Sequence, residues 1–120
     1  MAGVRATPDS LEVLRPGRQH PDLPPVPDDT VMISAGSRAE KLSERLHRHH
    51  GKIDMRTMTE IIKRPVAMRS NLHNAIFAPE TLDFKVADAD GGRPACDQPY
   101  ARFNLNELLA LLDTLAEDDQ

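Results

Sequence analysis

The chain has 120 residues, the length of one small domain, and a formal net charge of −4. It contains three Phe, one Tyr and no Trp, so any core depends on Leu, Ile, Val, Met and Ala. The single cysteine excludes an internal disulfide and a cysteine-rich metal site. No secretory signal is visible, and no stretch approaches the roughly 20 apolar residues of a membrane helix. These features predict a soluble, cytoplasmic protein without a cofactor.

Residues 1–30 hold six of the ten prolines. Proline fixes φ and lacks a backbone donor, so regular structure is disfavoured there. We expect an extended, mobile lead-in over residues 1–30, with one short strand possible at residues 10–14. Residues 31–120 are then the C-terminal α+β segment of a larger domain.

Two helices are predicted next. Ser37 and Glu40 have the spacing of a capping box, and Gly51 supplies a stop for the first helix. Asp54 is a candidate N-cap for the second helix, which Pro65 ends.

The hydrophobic period then changes from helical to two. Residues 71–78 and 82–87 alternate around a turn at Pro79, which predicts a β-hairpin. An isolated hairpin is marginal in water, so we expect it to pair with strands that this chain does not supply. A last helix is predicted from Asn104, and its broad leucine stripe is expected to be buried, with each Leu→Ala change costing about 2–5 kcal/mol.

Cys96 is the obvious candidate nucleophile, but its nearest charged neighbour in sequence is Asp97, which opposes thiolate formation. We therefore interpret it as a structural thiol. His47, His49 and His50 lie together at a helix end but lack the further ligands and supporting residues of a zinc site. No metal site is predicted.

A basic stretch suggests a different class of function. Residues 37–70 contain nine Lys or Arg and four Asp or Glu. The two predicted helices with a short Gly-containing turn resemble a helix-turn-helix, which makes a small nucleic-acid-binding or regulatory module the alternative. Its phosphate contacts would be Lys41, Arg45, Arg48, Lys52 and Arg56. Apolar residues early in the second helix leave little polar surface for reading bases, so nucleic acid is not the preferred partner. An interaction domain without chemistry is a third reading.

From Lys63 to Leu109 the chain resembles the C-terminal end of the isopenicillin-N acyltransferase-like family, which comprises self-processing cysteine amidohydrolases and acyltransferases. The match depends on the order of four pieces rather than on any one of them. They are Arg64-Pro65-Val66-Ala67-Met68, Ser70-Asn71-Leu72-His73-Asn74-Ala75-Ile76-Phe77, Pro79-Glu80-Thr81-Leu82-Asp83-Phe84-Lys85-Val86-Ala87 and Pro94-Ala95-Cys96-Asp97-Gln98-Pro99-Tyr100.

The resemblance implies an N-terminal-nucleophile αββα fold, of which this chain would form a partial layer: two helices, a hairpin and a C-terminal helix. It also implies a Cys nucleophile whose freed α-amine acts as the base. No such Cys lies near this N-terminus, so no catalytic residue is carried over. Ser70, Asn71 and His73 are the predicted substrate-side positions. The expected partner is an upstream catalytic half, or a second copy, and a small acyl-amide is the substrate only of the completed protein.

Overall fold

A computed structural model describes residues 1–118 of the protein. The chain forms two compact units, Met1–Ala67 (unit 1) and Met68–Gln120 (unit 2). In the part of the chain that the structure describes, three α-helices accompany a two-stranded and a three-stranded antiparallel sheet, which confirms the α+β class. The division falls between residues 67 and 68, whereas the sequence placed a boundary near residue 30. Within residues 1–118 no helix is long and apolar enough to cross a membrane.

Unit 1 begins with a β-hairpin. Strands β1 (Gly3–Ala6) and β2 (Leu11–Leu14) pair antiparallel, with Gly3 opposite Leu14. A Cβ on Gly3 would lie 2.8 Å from the side chains of Val31 and Ile33, so glycine permits this close packing. The prediction that residues 1–30 lack regular structure, apart from one short strand, is therefore wrong. The prolines of this segment do not prevent strand formation, because neither β1 nor β2 contains a proline.

Two helices follow in unit 1, α1 (Gly36–His49) and α2 (Met55–Ile61). The capping box predicted at the start of α1 is absent, because the N-cap is Ala35 and no side chain caps it. The Asp54 cap of α2 is confirmed, since its carboxylate accepts from the Thr57 N–H at 2.6 Å. Gly51 has φ +75° after α1, a conformation that favours glycine.

The core of unit 1 joins the N-terminal segment to both helices. Its buried members come from positions far apart in sequence: Val26, Met32, Ala39, Leu46 and Ile61. The buried Ser43 hydroxyl of α1 also donates to the carbonyl oxygen of Pro25. The segment predicted to be a lead-in is thus part of the packed structure.

Unit 2 contains the predicted hairpin as β3 (His73–Ala78) and β4 (Asp83–Asp88). A third strand, β5 (Ala101–Asn104), pairs antiparallel with β4 and gives the order β3-β4-β5. The chain therefore supplies one of the strands that we expected from elsewhere. A 3-10 turn at Ala95–Asp97 packs against β3 and β4.

Helix α3 (Leu105–Asp118) begins one residue after Asn104, close to the predicted start. The Asn104 side chain accepts from the Asn106 N–H at 3.0 Å. The expected burial of its leucines is wrong for this chain, because the leucine face of α3 is exposed. We define that face by five residues that are each 42–60% exposed: Leu105, Leu109, Leu111, Leu112 and Leu115.

Candidate functional site

The sheet of unit 2 has two unlike faces, because side chains alternate along each strand. One face, the covered face, carries Asn74, Ile76 and Ala87, which are all buried. The other face is called the open face. It carries two rows of residues that are paired across the three strands: Ala75, Val86 and Ala101 in one row, and Phe77, Phe84 and Phe103 in the next. The candidate functional groups separate between these two faces.

A polar relay lies on the covered face. The buried Asn74 side chain donates to the Tyr100 hydroxyl at 3.1 Å and accepts from the Asn71 side-chain amide at 3.2 Å. Asparagine is disfavoured in strands, and a buried amide without partners is costly. These bonds account for Asn74 as a structural residue that links the start of β3 to the segment before β5.

Cys96 lies in the 3-10 turn beside this relay. It is 3% exposed, and its Sγ is 3.7 Å from Oδ1 of Asp97. The turn is tied to the strand entrance by a backbone bond from the Ala95 N–H to the Asn71 carbonyl, at 3.3 Å. A thiol so enclosed, with its own nitrogen in a peptide bond, has neither access to a substrate nor an adjacent amine. This geometry agrees with a structural thiol.

The three predicted substrate-side residues are not brought together. Asn71 belongs to the relay on the covered side, whereas His73 is on the open-face side of β3 opposite Asp88. Nδ1 of His73 is 2.7 Å from Oδ1 of Asp88, and both side chains are exposed. Ser70 lies in an exposed turn before the strand.

The open face carries an aromatic ladder that was not predicted from the sequence. Phe77 stacks on Phe84 with ring centroids 5.9 Å apart, and Phe84 stacks on Phe103 at 5.3 Å. Phe77 is nevertheless 68% exposed. Phe77 and Phe84 were recognisable as alternating residues, but the third ring needed the pairing of β5, which has no local signal.

An apolar groove connects this ladder to the start of α3. It has a volume of about 400 Å³ and is lined by Phe77, Ala78, Pro79, Leu82, Asp83, Phe84 and Leu105. Leu82 adopts the left-handed conformation with φ 59°, which costs a residue other than glycine about 1–2 kcal/mol. The turn therefore retains a strained leucine where its side chain adds to the groove.

The loop after β4 is organised by one carboxylate. Oδ1 of Asp90 accepts from the backbone N–H groups of Gly92, at 3.1 Å, and Arg93, at 3.0 Å. Oδ2 of Asp90 is 3.2 Å from the Arg93 guanidinium. The Gln98 side-chain amide, followed by these two backbone donors, lowers the pKa of Asp90 from 3.8 to about 2.

This shift predicts an acid-sensitive loop. Because the folded-state pKa lies below the ordinary value, the contribution of Asp90 to stability is complete above about pH 4 and is lost as pH falls toward 2. We expect Asp90→Asn to lower the melting temperature of unit 2 at pH 7, and the difference from wild type to shrink between pH 4 and pH 2. Thermal unfolding across that range measures it, with Glu107→Gln as the control. A difference that does not change with pH would contradict the assignment.

Unit 1 uses several of its cations internally. Arg45 donates to the carbonyl oxygens of Ile61 at 2.8 Å, Lys63 at 2.7 Å and Arg64 at 2.9 Å. It thereby satisfies acceptors that the end of α2 leaves open. Lys41 and Arg48 both pair with Glu44. Three of the five predicted phosphate contacts thus have partners in this chain.

His20 lies in the segment predicted to be mobile, but its side chain is buried in unit 1. The Asp22 N–H donates to Nδ1 of His20 at 3.1 Å, so the proton of a neutral ring lies on Nε2, 2.8 Å from the Glu12 carboxylate. Nη1 of Arg5 is 3.2 and 3.1 Å from the two ring nitrogens. An atom this close to both nitrogens cannot lie in the ring plane without a clash with Cε1, so Nη1 of Arg5 lies over the face of the ring.

Across residues 1–118, no group of three or more His, Cys, Asp or Glu side chains is placed to hold a metal ion. Among the residues predicted to lie at a helix end, Nδ1 of His47 bonds the Ser43 carbonyl and His50 pairs with Asp29.

No family model, curated protein or solved structure matches this chain.

Proposed function

We propose that this chain is the C-terminal portion of a cysteine-dependent amidohydrolase or acyltransferase domain. A partner segment supplies the nucleophile and the missing layers, and the chain is inactive alone. The observation that carries the proposal is the open face of unit 2, where the two outer rings of a stacked aromatic ladder, Phe77 and Phe103, are exposed to solvent.

Exposed apolar surface of this kind needs an explanation. Isolated apolar residues at the surface are ordinary, but a contiguous patch marks an interaction site. Here the ladder, the groove and the leucine face form such a patch, since Leu105 lines the groove with Phe77 and Phe84. An apolar sheet face that is open to solvent in one segment is covered by a second layer in a layered fold.

The hairpin of unit 1 repeats the pattern independently. Its outward face pairs Val4 with Val13 and Ala6 with Leu11, and Val4, Val13 and Leu11 are largely exposed. The opposite face carries the buried Leu14. Each unit thus presents an uncovered apolar sheet face, as expected of a segment taken from a domain with two sheets between helices.

The resembling segments also coincide with elements of unit 2. Residues 70–77 lead into and form most of β3, residues 79–87 form the turn and β4, and residues 94–100 form the 3-10 turn before β5. The buried Cys96 fits the absence of the nucleophile, because that chemistry needs an accessible thiol beside a free amine. The acyl-amide substrate then belongs to the completed protein.

The test begins with the purified chain. We expect no release of acyl groups from amide-linked substrates, an unchanged mass, and strong binding of a dye that reports exposed apolar surface. Turnover by the chain alone, or a mass showing cleavage between Ala95 and Cys96, would contradict the proposal.

The second arm is reconstitution with the product of an adjacent coding region that contains a Gly-Cys dipeptide. We expect the complex to release acyl groups. Phe77→Ser should prevent assembly, whereas Lys85→Ser, on the other face of the same sheet, should not. Assembly that survives Phe77→Ser would show that the open face is not the contact surface.

A further inference from the structure

We infer that the surface formed by the open face, the groove and the leucine face binds a basic polypeptide segment with an apolar face of its own, and not a second copy of this chain. This inference rests on the proposed function, which makes the surface a contact for a partner. It adds the chemistry of that partner.

The two units differ sharply in charge. Residues 68–120 contain four Lys or Arg and ten Asp or Glu, which gives a net charge of −6. Residues 1–67 contain eleven Lys or Arg and nine Asp or Glu, which gives a net charge of +2. The exposed apolar surface of unit 2 is therefore set in the acidic part of the chain. Local fields of this size select partners of opposite sign.

Three of the four positive charges of unit 2 do not offset this field at the surface, and the fourth, Arg69, lies in the turn before β3. Arg93 pairs with Asp90 and Arg102 with Asp83. Lys85 lies on the covered-face side of β4, opposite Ile76 and Arg102. The sequence of α3 contains four carboxylic acids and no Lys or Arg, and Glu107 and Asp113 are exposed beside the leucine face.

Charge also decides against self-pairing. If two copies joined through their leucine faces, the acidic rims of two α3 helices would meet, and like charges across an interface are disfavoured. A helix or extended segment with Lys or Arg beside its apolar residues would pair with Glu107 and Asp113 instead. Apolar burial then supplies affinity, while the rim supplies selectivity and fast association.

Two designed amphipathic helical peptides of about 18 residues test the inference. They share one leucine stripe and differ only at the rim, which is Lys in one and Glu in the other. Titration calorimetry of the full chain should show the Lys-rimmed peptide binding about tenfold tighter or more at low salt, with the advantage falling as salt rises toward about 0.5 M. Glu107→Lys combined with Asp113→Lys should reverse the preference.

A matched control places the same charge change in unit 1, as Asp9→Lys with Asp28→Lys, and should keep the preference. Sedimentation should show that the Lys-rimmed peptide displaces any self-association of the chain. Binding of neither peptide, or a self-associated species that the peptide does not displace, overturns the inference. Equal binding of both peptides that Leu109→Ser abolishes also overturns it, but leaves the contact surface of the proposed function intact.

Discussion

Removal of residues 1–28 is expected to unfold unit 1. The deletion takes away Leu14 and Val26, both buried, and the Pro25 carbonyl that accepts from Ser43. Burial of one such side chain is worth about 1.5–3 kcal/mol, and a whole domain is stable by only about 5–15 kcal/mol. Losing two of them with a buried hydrogen bond therefore consumes much or all of the stability.

Circular dichroism and amide exchange of the deleted chain measure this effect. Exchange should become fast throughout α1 and α2, whereas a control that removes only Met1 and Ala2, both exposed, should melt like wild type. Val26→Ala should be destabilised to an intermediate extent. An unchanged melting temperature after the long deletion would mean that the N-terminal segment does not contribute to the core.

The composition of residues 1–30 led to the opposite expectation, and the reason is local. Proline removes a ladder donor only at its own position, and Pro8 lies in the hairpin turn while β1 and β2 contain none. Val26 is buried by contact with residues of α1 and α2 that are distant in sequence. The number of prolines in this segment therefore predicts neither the two strands nor the burial of Val26.

Elements with a strong local signal were predicted well. The period of two located β3 and β4, and Asp54 marked the start of α2. Strand β5 has four residues and follows Pro99, so it carries almost no period, and only pairing with β4 defines it. The Ser37 capping box failed because Ala35, rather than Ser37, became the N-cap.

The candidate site shows a more general limit. Ser70, Asn71 and His73 were predicted together as polar residues that lead into β3. In a strand, consecutive residues point to opposite faces, so His73 contacts Asp88 while Asn74 bonds Tyr100 on the other side. The aromatic ladder brings together residues from three strands, and no sequence window contains all of them.

The leucines of α3 provide the clearest contrast between pattern and environment. Ile61→Ala should cost about 2–5 kcal/mol, because Ile61 is 1% exposed and its removal leaves a cavity in unit 1. Leu109→Ala should cost less than about 1 kcal/mol in the free chain, because Leu109 is 50% exposed and leaves no cavity. Denaturant unfolding of the two variants measures this difference, with the unfolding of unit 1 recorded for Ile61→Ala and that of unit 2 for Leu109→Ala.

The small cost of Leu109→Ala should hold only while the leucine face is uncovered. In the complex with a partner that covers α3, the same change removes buried apolar area, so it should weaken binding by about tenfold or more. Ile61→Ala, which lies in the core of unit 1, should alter stability in both states. A large loss of stability from Leu109→Ala in the free chain would mean that α3 already packs within this protein, and the surface proposed for a partner would then be occupied.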